Sequence, residues 1–181
     1  MLLGVLRLMR FRTDGWDLIA GTRQMFLNSL PPLLAFPVLS SLWAALQGGA
    51  ITLGLTDLLA TLVALLAPAV LSEALARRWR CDAAWLRYAV GFNWCQFAVA
   101  IGGAAAMFVA ASLLPAGPAR ASAAGIALLG TAIYALALQW FLVRSGLGLG
   151  SLRAVAFTLF VNAGTGMLAL GPTLIAEGGR H

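Results

Sequence analysis

The side chains able to do chemistry in this chain are few, and most of them are amides. Asn93 and Gln96 share one apolar block, Gln139 and Asn162 each sit in another, and Glu73 is followed by Arg77 at i+4. A carboxylate one helical turn from a cation forms an ion pair. A proton carrier would need the acid deeper, shielded and without a counter-ion. Glu73 therefore reads as an interfacial anchor. An amide in hydrocarbon with no partner loses several kcal/mol, so the four amides must turn inward and bond one another, water or a ligand. With Arg144 at the mouth, Glu73, Asn93, Gln96, Gln139, Arg144 and Asn162 make up a candidate polar pocket. Two chemistries fit it. One is interhelical hydrogen bonding, worth on the order of 0.6–2 kcal/mol per bond. The other is a pocket for a headgroup or small solute. Hydrogen bonding between helices is the plainer reading.

What is missing narrows the field further. The one histidine is the last residue, His181, so neither a metal site nor histidine haem ligation is expected within the bundle. No serine or cysteine has a histidine partner for nucleophilic catalysis, and no pair of intramembrane aspartates is present. The stretch SGLGLGS at 145–151 resembles a nucleotide loop only in its glycines, because no strand precedes it and it has no lysine. No catalytic residue, cofactor or metal is expected, and the reading is non-enzymatic. Cys81 and Cys95 are too few for a disulfide framework.

The elements that must position these residues are apolar helices. Apolar residues make up 61% of 181 positions and charged residues 10%, at a mean hydropathy of +0.92, whereas soluble domains carry about 25% charged residues. Blocks near 29–47, 57–76, 88–114, 121–143 and 152–176 each approach the roughly 20 residues needed to cross the hydrocarbon. The expected fold is all-α, a polytopic bundle of about five transmembrane helices in one membrane domain. Ser29 is expected to cap the first span, with Pro31 and Pro32 in its opening turn and Pro37 kinking it; a re-entrant first segment is the alternative. Residues 1–24 read as a short amphipathic interfacial region rather than a cleaved signal, and equally as a helix that packs under the bundle. Arg7, Arg10, Asp14 and Asp17 share one face, Thr13-Asp14-Gly15 breaks the helix, Asp14 caps the second piece, and Trp16 lies at headgroup depth.

Arginine placement sets the orientation. Arg7, Arg10, Arg12, Arg23, Arg77, Arg78, Arg80, Arg87, Arg144 and Arg153 fall on one side, and only Arg120 and Arg180 on the other. Positive residues stay inside, which implies a cytoplasmic N-terminus, a periplasmic C-terminus and a bacterial inner-membrane location. The net charge of +6 thus reports topology and anionic lipid rather than nucleic acid. Small residues at Ala98, Gly102 and Ala106 recur every four positions, a candidate helix-packing face.

Three stretches taken together, DGWDLIAGTRQMFLNSLPPLL, RYAVGFNW and QWFLVRSGLGLGSLRAV, resemble a group of small bacterial five-helix inner-membrane proteins. More remotely, they resemble the Yip-type, Rab-GTPase-interacting family. That resemblance implies five spans and a cytoplasmic N-terminus and supplies no catalytic residues. The long cytoplasmic N-terminal region of eukaryotic members is missing, and with it the reason to expect a GTPase partner. The function expected is a scaffold or accessory subunit of a larger membrane complex, in contact with membrane lipids and with partner subunits or its own copies. The alternative is a small transporter or a lipid- or solute-binding protein using the polar pocket.

Overall fold

The computed structural model describes the backbone of residues 1–46, 51–115 and 117–178, and their side chains outside 36–37, 39–46, 51–60 and 169–178. Among the described residues the fold is all-helical. The helices are α1 (Leu2–Met9), α2 (Arg23–Leu46), α3 (Ile51–Arg78), α4 (Asp82–Leu113), α5 (Pro118–Gly146) and α6 (Ser151–Gly178), with a 3₁₀ segment at Thr13–Leu18. Three of them are long and apolar enough to cross a membrane: α4, α5 and α6 over Ser151–Leu168. That is fewer than the five spans expected; α2 and α3 run 24 and 28 residues, but part of each lies outside the described side chains.

The helices are longer than the apolar blocks, mainly at the arginine-rich end, where polar residues continue α2 and α4. The start of α2 shows the cause. The Thr22 hydroxyl accepts a hydrogen bond from the Met25 N–H at 3.2 Å, which caps the helix well before Ser29. Ser29 is therefore not the cap. It lies inside the helix, and Pro31 and Pro32 follow it there rather than in the first turn. Their missing N–H groups leave the carbonyls of Leu27 and Asn28 without helical donors. The expected kink at Pro37 lies outside the described side chains, and Arg180 lies outside the described residues.

Helices α3 and α4 are joined by a tight turn in which the Cys81 N–H bonds to the Ala76 carbonyl at 2.9 Å and the Arg80 N–H to the Arg77 carbonyl at 3.2 Å. This paired closure needs a left-handed residue at its centre. Arg80 supplies it, at φ +59°. The turn after α5 uses Gly148 at φ +67° and buries Leu147 and Leu149.

Packing is most extensive between α4 and α5 and between α3 and α6, and α2 lies across both α3 and α4. Side-chain contacts fix which ends meet: Phe26 tilts against Trp85, Trp79 and Tyr88 both meet Phe157, and Ser145 on α5 bonds Trp16. The start of α2, the end of α3, the start of α4, the end of α5 and the start of α6 thus converge at the arginine-rich end. The tight core is there, built around Tyr88, Val90, Cys95, Leu142, Val143 and Phe157. Toward the other end α4 and α5 expose Ile101, Phe108, Leu113, Ile126 and Leu128, as helices surrounded by lipid do.

The N-terminal region closes the packed end. α1 buries Gly4, Val5 and Leu8 and leaves Leu2, Leu3 and Leu6 exposed. It crosses the 3₁₀ segment at two glycines, where a Cβ on Gly15 would stand 2.6 Å from the Gly4 carbonyl oxygen. One expectation is corrected here. Asp14 caps nothing; it accepts hydrogen bonds from Arg7 at 3.2 Å and Arg12 at 2.7 Å, because it sits inside the 3₁₀ segment facing the end of α1. Trp16 is buried at 5% exposure, its ring inserted where Gly91 of α4 and Gly146 of α5 leave space, as the reading of a helix packed under the bundle expects. Its indole N–H donates to the Ser145 hydroxyl at 2.9 Å.

Candidate functional site

The six residues of the expected polar pocket do not line one cavity. Gln139 of α5 is buried, and its Oε1 accepts a hydrogen bond from the Asn162 Nδ2 of α6 at 2.8 Å. Asn162 also donates to the Thr158 carbonyl at 2.7 Å. This pair ties α5 to α6. Arg144 is exposed, its guanidinium 5.4 Å from the centre of the Trp140 ring, a cation–π contact at the rim. Glu73 pairs with Arg77 one turn along α3, as the spacing predicts.

Asn93 and Gln96 do share a space. A cavity of about 410 Å³ lies where α2 crosses α3 and α4, and both amides line it. Apart from Thr61 of α3, its other walls are apolar, with Leu33 from α2, Leu65 from α3, and Phe92, Phe97 and Ile101 from α4. Two prolines explain why the helices stand apart there. Pro32 of α2 and Pro68 of α3 both face the cavity. Each removes one helical hydrogen bond and crowds the preceding turn, so neither helix can lie flush against its neighbour.

The amides behave differently. Asn93 is buried, and its Nδ2 donates to the Ser29 hydroxyl of α2 at 2.9 Å; that hydroxyl in turn donates to the Phe26 carbonyl at 2.7 Å. Gln96 is half-buried and makes no hydrogen bond among the described residues. It borders the cavity on one side and, on the other, a crevice against Leu138 and Gln139 with no room for water. An amide beside apolar walls is stabilised by any ligand that brings a polar group to it.

Nearer the arginine-rich end, the same three helices form a second space of about 650 Å³, lined by Arg23, Phe26, Glu73, Arg77, Asp82, Trp85 and Leu86. Phe26 and Trp85 make its aromatic wall, ring centres 5.4 Å apart. The Trp85 N–H is occupied by the Ser72 hydroxyl at 3.1 Å, so the ring offers its face and edge.

Sequence reasoning placed none of Ser29, Arg23, Asp82, Pro32 and Pro68 in a site, reading Ser29 as a cap, Pro32 as part of the opening turn and Arg23 as a marker of orientation. The legible signal was Pro68, an interior proline whose only use in a helix is to open a local gap. The small-residue face is also placed differently from expectation. Gly103, not Gly102, makes the close approach to α5, with its Cβ position 3.0 Å from the Thr131 methyl, whereas nothing lies within 4 Å of a Cβ on Gly102. Cys81 and Cys95 are both free thiols. At Cys81, in the turn before α4, burial and then the neighbouring Asp82 carboxylate push the thiol pKa up, the opposite of what a reactive thiolate needs. No group of three or more metal-ligating side chains occurs among the described residues. In comparison with known proteins, the chain matches no family model, no curated protein and no solved structure.

Proposed function

We propose that this chain is a non-enzymatic bacterial inner-membrane protein of five spans, α2 to α6, that holds an amphiphile in the seam between α2, α3 and α4. The carrying observation is the cavity there, with largely apolar walls, an amide at its edge (Gln96) that has no partner among the described residues, and two prolines holding it open. Its volume and its apolar lining with sparse polar groups match a ligand site. Ten arginines at the packed end support a cytoplasmic position for that end and for the N-terminus. The pairing of Gln139 with Asn162 and of Asn93 with Ser29 supports helix adhesion for those amides, which leaves Gln96 for the ligand. The test is gentle extraction from the native membrane followed by native mass spectrometry. Wild type should carry a bound lipid-sized mass, and Ala64→Phe, which fills the cavity from α3, should lose it while keeping its thermal midpoint. Bare wild-type protein, or equal loading of the variant, would sink the reading.

One observation favours a second reading, an accessory subunit that contacts a partner through α4. Gly102 and Ala98 line an open groove of about 350 Å³ between α4 and α5, and nothing lies within 4 Å of a Cβ on Gly102. Gly102→Leu should then reduce the yield of a larger complex without touching the stability of the isolated chain. A complex of unchanged yield removes this reading.

A further inference from the structure

We infer that the crevice lined by Arg23, Glu73, Arg77 and Asp82 is a headgroup site for a zwitterionic phospholipid of the phosphoethanolamine class. The inference rests on the amphiphile reading above and names its ligand.

Charge selects the class. The lining carries two guanidinium groups and two carboxylates, so it is neutral as a whole although the surrounding end of the bundle is strongly basic. Glu73 and Arg77 are paired with each other. Arg23 and Asp82 make no ion pair or hydrogen bond among the described residues, yet both line the same space. One unpaired cation and one unpaired anion match a ligand with a phosphate and an ammonium. A purely anionic headgroup would meet Arg23 well but would bring its charge against Asp82 and Glu73. Arg23 offers the phosphate charge-assisted hydrogen bonds. Asp82 accepts from the ammonium, and the faces of Phe26 and Trp85 add cation–π attraction.

Depth then matches a lipid. The crevice and the apolar cavity share α2, α3 and α4. Arg23 to Pro32 on α2, and Arg77 back to Pro68 on α3, are each nine residues. At about 1.5 Å rise per residue, that puts the cavity about 14 Å below the charged crevice. Half of the hydrocarbon core is about 15 Å. A headgroup held at Arg23 and Asp82 therefore sends an acyl chain to the level of Phe92 and Asn93, ten and eleven residues along α4 from Asp82.

The test titrates the full chain in detergent with palmitoyl-oleoyl phosphatidylethanolamine, the matching phosphatidylglycerol and water-soluble phosphoethanolamine, reading occupancy by native mass spectrometry. Phosphatidylethanolamine should be retained about tenfold better than phosphatidylglycerol, and Arg23→Gln and Asp82→Asn should each lower its retention about tenfold, the loss expected for one charge-assisted contact. Both side chains are exposed, so the variants should keep the wild-type thermal midpoint. Equal retention of the two lipids, or indifference to both substitutions, overturns the headgroup assignment. If Ala64→Phe still strips both lipids in that case, the cavity reading survives alone. Soluble phosphoethanolamine bound as tightly as the lipid overturns the lipid source, and a wild type that retains neither lipid overturns both readings.

Discussion

Trp16 is the one long-range contact whose energetic weight can be worked out directly from the geometry. Its ring is buried, its N–H is bonded to Ser145, and its benzo edge occupies space that a methyl group on either Gly91 or Gly146 would invade. The built Cβ positions stand 2.6 Å from the ring at Gly91 and 2.7 Å at Gly146. Adding that methyl overpacks the site at about 1–3 kcal/mol. Alanine is also the better helix former by about 0.8–1 kcal/mol, so Gly146→Ala alone should be destabilising by only about 0–2 kcal/mol. The single variant is thus a poor test, and a double-mutant cycle is the right one. Trp16→Ala should cost about 3–5 kcal/mol of N-terminal docking. In that background Gly146→Ala should turn neutral or stabilising, because the ring it would strike is gone. The coupling between the two should be about 1–3 kcal/mol.

The assay is tryptic cleavage at Arg10 and Arg12 in detergent, which reports detachment of α1 and the 3₁₀ segment while the long helices stay folded. Wild type should resist, Trp16→Ala should be cut quickly, and the cleavage rates of the four proteins give the coupling. Additivity to within about 0.5 kcal/mol would refute the idea that the ring is wedged between α4 and α5.

Three further outcomes follow from local geometry. Gln139→Leu removes the acceptor for Asn162 and should lower stability by on the order of 0.6–2 kcal/mol, read as a lower thermal midpoint, with lipid retention unaffected; loss of bound lipid instead would return Gln139 to the ligand site. Arg80→Gly relieves a non-glycine residue at φ +59° and should stabilise the turn by about 1 kcal/mol, so a midpoint that falls argues that the Arg80 side chain holds the turn. Maleimide labelling of Cys81 should be slow at neutral pH and quicken as pH rises, because its raised pKa keeps the thiol protonated; Asp82→Asn should speed it at a given pH, and an unchanged rate would remove Asp82 from the causes.

The helical class, the position of the long helices and the end at which the arginines gather were all legible, because hydropathy along a chain measures depth in a membrane. Boundaries were less so. Hydropathy registers the hydrocarbon segment alone, and α2 begins at Arg23 because Thr22 caps it, a one-hydroxyl event that carries no hydropathy signal. The N-terminal region shows the same limit more sharply. Trp16 beside Arg12 and Asp17 has the composition of an interfacial anchor, and what buries it is a pair of glycines 75 and 130 positions further along the sequence, Gly91 and Gly146.

The candidate site divides along the same line. Depth puts Asn93, Gln96, Gln139 and Asn162 at roughly one level, and of these the structure pairs Gln139 with Asn162. Depth says nothing of direction around each helix, and at about 100° per residue a side chain at the right level can face any neighbour. Gln139 found Asn162 across α5 and α6, whereas Asn93 found Ser29, a residue that the sequence reading had spent on a helix cap. Gln96 was left facing a gap. That gap exists because Pro32 and Pro68 fall at the same distance from Arg23 and Arg77 in helices of opposite direction, which puts two openings side by side. One proline in an apolar helix is a local irregularity. Two at matched depth in adjacent helices, with an unpartnered amide on the third, make a place for a ligand, and that coincidence becomes visible only when the helices are set next to one another.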